Sequence, residues 1–200
     1  MNRTFNALSS HQIRSVLDCH RPLELSSDAS FKRSAVAVII HYRGGSPYIL
    51  LMKRIERPGD PWSGQVSFPG GGEEDVDETL LDTARRECME EVGIDLLRHG
   101  VHLGQLDDVQ AMSGGQPVSM FIRPFVFELM TEVDTELGPE ARDVRWIPLN
   151  EIAPVASEEI YAYQGRDRVI ELPCWRYKGV TVWGLTRHMI HAFLCLLKAR

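Results

Sequence analysis

Long apolar runs are missing from this sequence. None approaches the roughly 18 residues that a membrane-crossing helix needs, and the first 30 residues mix Arg3, Arg14, Asp18 and Glu24 without a signal-like apolar block. A cytoplasmic protein without membrane association is therefore expected. Cysteine is sparse: Cys19, Cys88, Cys174 and Cys195 lie far apart with no C-x-x-C pair, which argues against a disulfide framework or a cysteine zinc site and leaves structural thiols. A basic stripe of the kind that displaces counterions from nucleic acid is also absent, so no nucleic-acid partner is expected. Repeats and low-complexity tracts are lacking too. What remains, 44% hydrophobic and 25% charged residues in 200, is the make-up of one globular domain with one ordinary core.

The net charge of -6 is unevenly placed. Between Glu73 and Glu91 stand nine carboxylates against Arg85 and Arg86, a local net of -7, which leaves the rest of the chain near neutral. So dense an anionic patch suggests cations as ligands.

Helical spacing of Ile13, Val16 and Leu17 predicts a short helix over Ser9 to Cys19, capped by Ser9 or Ser10, followed by a linker from Pro22 to Ser30. Residues 1–30 are read as a peripheral arm and 31–200 as the functional domain. Ser34 to Tyr42 and Tyr48 to Arg54 read as a strand pair joined through Gly44-Gly45. Ile55 to Gly72, crowded with proline and glycine, reads as a long loop with a short strand at Val66 to Phe68. A helix follows from about Glu78 to Val92, with Leu81, Ala84, Cys88 and Val92 on one face and Gly93 ending it. Val101 to Ala111, Pro117 to Leu129, Val144 to Ile147, Val169 to Leu172 and Val180 to Trp183 read as further strands. A short helix is expected at Pro148 to Glu151, and a last one from Thr186 with an apolar stripe of Met189, Ile190, Phe193, Leu194 and Leu197. Strands and helices mix without βαβ alternation, so the expected class is an α/β sandwich on a mixed sheet.

Glu87, Glu90 and Glu91 stand at i, i+3 and i+4, which share a helix face. Three neighbouring carboxylates repel one another unless a cation compensates, and hard oxygen ligands suit Mg2+ or Mn2+. Taken alone, the triplet also fits a solvated acidic face on which Arg86 pairs Glu90 at i+4. His188 and His191, i and i+3 on the last helix, have no adjacent third ligand and are read as surface or packing residues.

The spacing around the triplet is more specific. Gly72, five residues, Glu78, seven residues, then Arg86-Glu87-Cys88-Met89-Glu90-Glu91-Val92-Gly93-Ile94 resembles the Nudix box, G-x5-E-x7-R-E-U-x-E-E-x-G-U, with Cys88 at the first aliphatic position. The resemblance implies an α/β/α sandwich with a mixed sheet and cleavage of a diphosphate linkage in a nucleoside diphosphate derivative with Mg2+ or Mn2+. By motif position, Glu87, Glu90, Glu91 and the carbonyl of Gly71 correspond to metal ligands, Arg86 to their orienting partner and Glu78 to a support residue in the first helical turn. Glu140, in the turn Gly138-Pro139-Glu140, is a candidate base outside the box.

Upstream, Leu50-Leu51-Met52-Lys53-Arg54 and Gly64-Gln65-Val66-Ser67-Phe68-Pro69-Gly70-Gly71 resemble the additional signature of the coenzyme A diphosphatase branch, L-L-T-x-R-(S/A)-x3-R-x3-G-x3-F-P-G-G. Met52, Ile55 and Asp60 depart from it, and Asp60 reverses a charge at the second arginine position. The implied reaction converts coenzyme A or an acyl derivative to 3′,5′-ADP and a 4′-phosphopantetheine. Arg54 and Arg57 are the candidate phosphate contacts, and Trp62 or Trp183 the candidate stacking faces. The alternatives are an ADP-ribose or dinucleoside polyphosphate pyrophosphatase, and a Nudix-fold binding protein without turnover, which would be expected to lack box carboxylates. The tail Lys198-Ala199-Arg200 is not the Ser-Lys-Leu peroxisomal address.

Overall fold

The computed structural model describes residues 8–25, 31–60, 62–152, 159–165 and 168–199. Residues 1–7 of the arm, residues 26–30 of the expected linker, Pro61 and Arg200 lie outside them. A mixed sheet organises the chain. At its centre runs β1 (Lys32–Arg43), paired antiparallel with β2 (Ser46–Arg54) through its second half and with β4 (Gly70–Gly72) through its first half, while its other edge pairs parallel with β7 (Gln116–Leu129). Outside these, β3 (Val66–Ser67) and β8 (Ala141–Pro148) pair with β2, and β5 (Gly100–Gln105) and β6 (Val109–Ser113) pair with β7. A separate antiparallel sheet has the order β11 (Val180–Trp183), β10 (Val169–Tyr177), β9 (Glu159–Gln164).

Alternation along β1 shows why the sheet is covered on both faces. Val36, Val38 and Ile40 point into one apolar cluster, with α1 (Ser10–Cys19) and α5 (Gly184–Lys198); Ala35, Ala37 and Ile39 point into the other, with α2 (Leu80–Val92). The small alanines let α2 lie close against the strand, where Ala84, Cys88 and Val92 are fully buried. The short helices α3 (Leu96–His99) and α4 (Leu149–Ile152) complete the layers. The architecture is the expected α/β sandwich with a mixed sheet.

Several local expectations change. The α1 helix is not peripheral: Ser9 and Gln12 form its capping box, and Ile13, Val16 and Leu17 enter the core, Ile13 with no exposed surface. Burying such a side chain contributes about 1.5–3 kcal/mol. The segment read as one strand from Val101 to Ala111 is two, β5 and β6. Between them the Asp107 carboxylate accepts from Leu23 N–H at 2.9 Å and the Asp108 carboxylate from Leu25 N–H at 2.8 Å and from Arg123, which pins the chain after α1 to the sheet. The triple glycine forms β4, and β9, an exposed strand, pairs with β10 where no strand was expected.

Candidate active site

Helix α2 carries the acidic cluster. Thr79 caps it, its hydroxyl accepting from Asp82 N–H, and Gly93 ends it in the left-handed conformation (φ 71°). Leu80, rather than Leu81, is the buried leucine of the first turn. Glu78 precedes the cap and is exposed, so it does not stand in the first helical turn.

The three glutamates line one cleft of about 470 Å³, together with Arg54, Trp62, Gly71 and Glu140. Arg57 and Arg86 are not in its wall. The cleft opens between the glutamate edge of α2, β3 and β4, and the start of α5, which contributes Leu185 and Thr186. The glutamates are unequal: the side chain of Glu90 is 58% exposed, that of Glu87 15% and that of Glu91 3%. Glu91 Oε2 accepts from Gly70 N–H at 2.8 Å, and Arg54 Nη1 lies 3.7 Å from Glu91 Oε1, which has no hydrogen-bond partner. Burial, reinforced by the charges of Glu87 and Glu140, pushes the Glu91 carboxyl up to about 8 against the pull of Gly70 N–H and Arg54. Burial likewise raises Glu87, partly offset by Arg86.

Arg86 organises the outer side of the cluster. Its Nη1 donates to Glu87 Oε1 at 3.0 Å and to Glu90 Oε2 at 3.2 Å, and its Nη2 to the Gly72 carbonyl at 2.9 Å. Behind it stands Asp77, which accepts from Arg86 Nε at 3.0 Å and Nη2 at 2.9 Å, from Thr83 Oγ1 and from Glu74 N–H. The Arg86 guanidinium holds the Asp77 carboxyl down at about 2, and the pair raises Arg86 in turn. Sequence reasoning missed Asp77, giving the support role to its neighbour Glu78. The available signal was an acid nine residues before Arg86, hidden among nine carboxylates.

Two loops close over the cluster. Gly138 N–H donates to the Glu91 carbonyl at 2.9 Å, and a Cβ at Gly138 would stand 1.8 Å from the Glu90 carbonyl oxygen, so only glycine lets this loop dock on the last turn of α2. The docking places Glu140, whose Oε1 accepts from Arg57 Nη1 at 2.7 Å and whose Oε2 lies 3.5 Å from Arg54 Nη2. Asp60 is an internal clamp: it accepts from Arg54 Nη2 at 3.2 Å and from Trp62 N–H at 2.9 Å. Trp62 spans the other way, its Nε1 donating to the Met112 carbonyl at 3.3 Å. Trp183 stacks on Tyr161 with ring centroids 4.7 Å apart.

Glu87, Glu90 and Glu91 fit a divalent cation. Glu91 Oε1 is a buried oxygen without a hydrogen-bond partner, and burial, reinforced by neighbouring carboxylates, raises the proton affinity of Glu91 and Glu87. Gly71 leaves the room: a Cβ there would stand 2.4 Å from Glu87 Oε1. Among the described residues no three acidic, histidine or cysteine side chains are already gathered as a closed cage, because Glu87 and Glu90 turn to Arg86 and Glu91 to Gly70.

The family described as NUDIX domain matches residues 31–171. An uncharacterized Nudix hydrolase, NudL, of Enterobacter sp. is 31% identical over 171 residues, 84% of each chain. The peroxisomal coenzyme A diphosphatase 1 of Saccharomyces cerevisiae is 41% identical over 75 residues, 36% of this chain and 22% of that one. The aligned region spans 45% of an uncharacterized Schizosaccharomyces pombe protein, and 66% and 65% of the NudL proteins of Photorhabdus laumondii and Pectobacterium atrosepticum. The fold resembles that of a Caenorhabditis elegans Ap4A hydrolase, with a TM-score of 0.50 and 19% identity over 62% of this chain and 85% of that one.

Proposed function

The chain belongs to the Nudix family, and from that premise we propose that it hydrolyses a diphosphate linkage in a nucleoside diphosphate derivative, with coenzyme A or its acyl derivatives as substrate. The observation that carries the reaction class is the buried Glu91 Oε1, which accepts no hydrogen bond, in a cleft shared with Glu87 and Glu90. These carboxylates and the Gly71 carbonyl would hold Mg2+ or Mn2+. A bound divalent cation neutralises the diphosphate and lowers the pKa of a water. The protein's own groups do the rest. Arg86, fixed by Asp77, keeps Glu87 and Glu90 oriented, while Arg54 supplies positive charge to a phosphate entering the cleft. Glu140 takes the proton of the attacking water once substrate phosphate competes for Arg54, and Trp62 offers a face for a base.

The coenzyme A assignment draws on the Leu50-to-Gly71 signature and on the partial match to the yeast coenzyme A diphosphatase. A second reading, ADP-ribose or a dinucleoside polyphosphate, is favoured by one observation: Arg54 is the cation among the described residues lining the cleft, and Asp60 already holds it. The test is a substrate panel of coenzyme A, 3′-dephospho-coenzyme A, ADP-ribose and a dinucleoside polyphosphate with Mg2+ and with Mn2+, products identified by mass. 3′,5′-ADP and phosphopantetheine from coenzyme A is the expected result. Turnover confined to the other compounds overturns the coenzyme A assignment, and no turnover of any overturns the hydrolase reading.

A further inference from the structure

Lys53 from β2, Arg142 and Arg145 from β8, and Lys178 from the β10–β11 turn line one groove of about 570 Å³. Asp143 is the carboxylate in its lining. The catalytic cleft has the opposite balance, with Glu74, Glu87, Glu90, Glu91 and Glu140 against Arg54. Four cations against one carboxylate make the groove a locally positive surface beside a negative cleft.

The cations retain capacity for an anion. Arg145 donates to Asp143 at 2.7 Å and Arg142 to Glu56 at 3.2 Å, both exposed pairs of the kind that are weak in water. No carboxylate pairs with Lys53 or Lys178 among the described residues. Lys178 is the non-glycine residue with positive φ (44°) among them, an unfavourable conformation held in the turn before Gly179. Tyr161 and Trp183, stacked together, add an apolar wall.

The groove adjoins the catalytic cleft. Gln65 lines both; along β3, Val66 lines the groove and Ser67 the cleft; and Trp183, in the groove, leads directly into Leu185 and Thr186 of the cleft. Inside the cleft Arg54 is shared among Asp60, Glu91 and Glu140, so a phosphate beyond the diphosphate has no cation there to meet. We propose that the groove binds a phosphate monoester carried by the substrate away from the diphosphate. The substrate class is then a nucleoside diphosphate derivative with an additional phosphate on its ribose. This rests on the hydrolase reading and deepens it, because a 3′-phosphate separates coenzyme A from ADP-ribose.

The variant Arg145→Ala/Lys178→Ala, at two exposed positions, tests the assignment in two ways. In the wild type, coenzyme A should be cleaved at least about tenfold more efficiently than 3′-dephospho-coenzyme A, and the variant should bring that ratio within about twofold of unity. The charge-conserving Arg145→Lys/Lys178→Arg should keep most of the preference. Calorimetry without metal or turnover should show adenosine 3′,5′-bisphosphate binding the wild type at least about tenfold tighter than adenosine 5′-monophosphate, and the variant binding both alike. A preference untouched by the variant, or equal binding of the two nucleotides by the wild type, overturns the proposal. So does inorganic phosphate binding that the variant abolishes while the coenzyme A preference persists, which marks a separate anion site. Should the wild type cleave no diphosphate at all, the hydrolase reading fails, and the calorimetry still decides the groove.

Discussion

Arg57 Nη1 donates to Glu140 Oε1 at 2.7 Å, joining two residues 83 positions apart in the chain. From the sequence they carry separate roles, a phosphate contact and a base, and the structure makes them partners. Their substitutions should therefore not act independently. In a double-mutant cycle of Arg57→Ala and Glu140→Ala, the double variant should be no more than about threefold less active than the worse single variant. Multiplied defects, measured as kcat/KM on one substrate, would show that the two residues serve different steps.

Asp77 should prove structural for the site although it stands at an unspecified position of the box, the residue before Glu78. Asp77→Asn leaves Arg86 facing an amide, which should lower stability by roughly 2 kcal/mol, or about 4–8 °C in Tm. The pH dependence has a definite sign. The Asp77 carboxyl is held down from 3.8 to about 2, so its contribution is present above 3.8 and is lost as pH falls through about 2. The stability gap between wild type and variant should thus be steady above about pH 5 and close between about pH 4 and 2. A gap independent of pH throughout would contradict the ion-pair account.

Most of this fold was legible because its signals are local. The apolar run of β1, the stripe of α5 and the stop of α2 at Gly93 are each written within a few residues. The α2 cluster was legible for the same reason, being a run at helical spacing. What escaped depends on contacts between distant segments: Asp77 under Arg86, Asp60 turned inward to Arg54, and Gly138 seated on α2. Burial of α1 escaped likewise, since three apolar residues on a short helix do not say which surface receives them. The strand β9 carries no strong period, and its pairing with β10 is what makes it a strand.

Gly138→Ala should disturb the site from its back. The added Cβ meets the Glu90 carbonyl oxygen at 1.8 Å, which no side-chain adjustment relieves. The loop must lift, at a cost of about 1–3 kcal/mol, and carry Glu140 with it. The expected result is a lower Tm together with a lower kcat. Wild-type values for both would show that the loop docks elsewhere in solution.

Divalent cations should stabilise the protein beyond their ionic strength. Millimolar Mg2+ or Mn2+ should raise Tm by several degrees more than Na+ at matched ionic strength, and Glu91→Gln should remove most of that difference. Equal shifts with all three cations would indicate general screening of the acidic patch.

The central claim is that the buried carboxylate of Glu91 supplies charge to a cation at which a diphosphate is cleaved. Glu91→Gln keeps the size and shape of the side chain, and a neutral amide ends its role as a charged ligand. The decisive measurement is the turnover of this variant under saturating Mg2+ on the best substrate of the wild type, alongside a circular dichroism spectrum confirming the fold. The account predicts an unchanged spectrum and a kcat lower by about a thousandfold or more; a kcat within about threefold of wild type would contradict it.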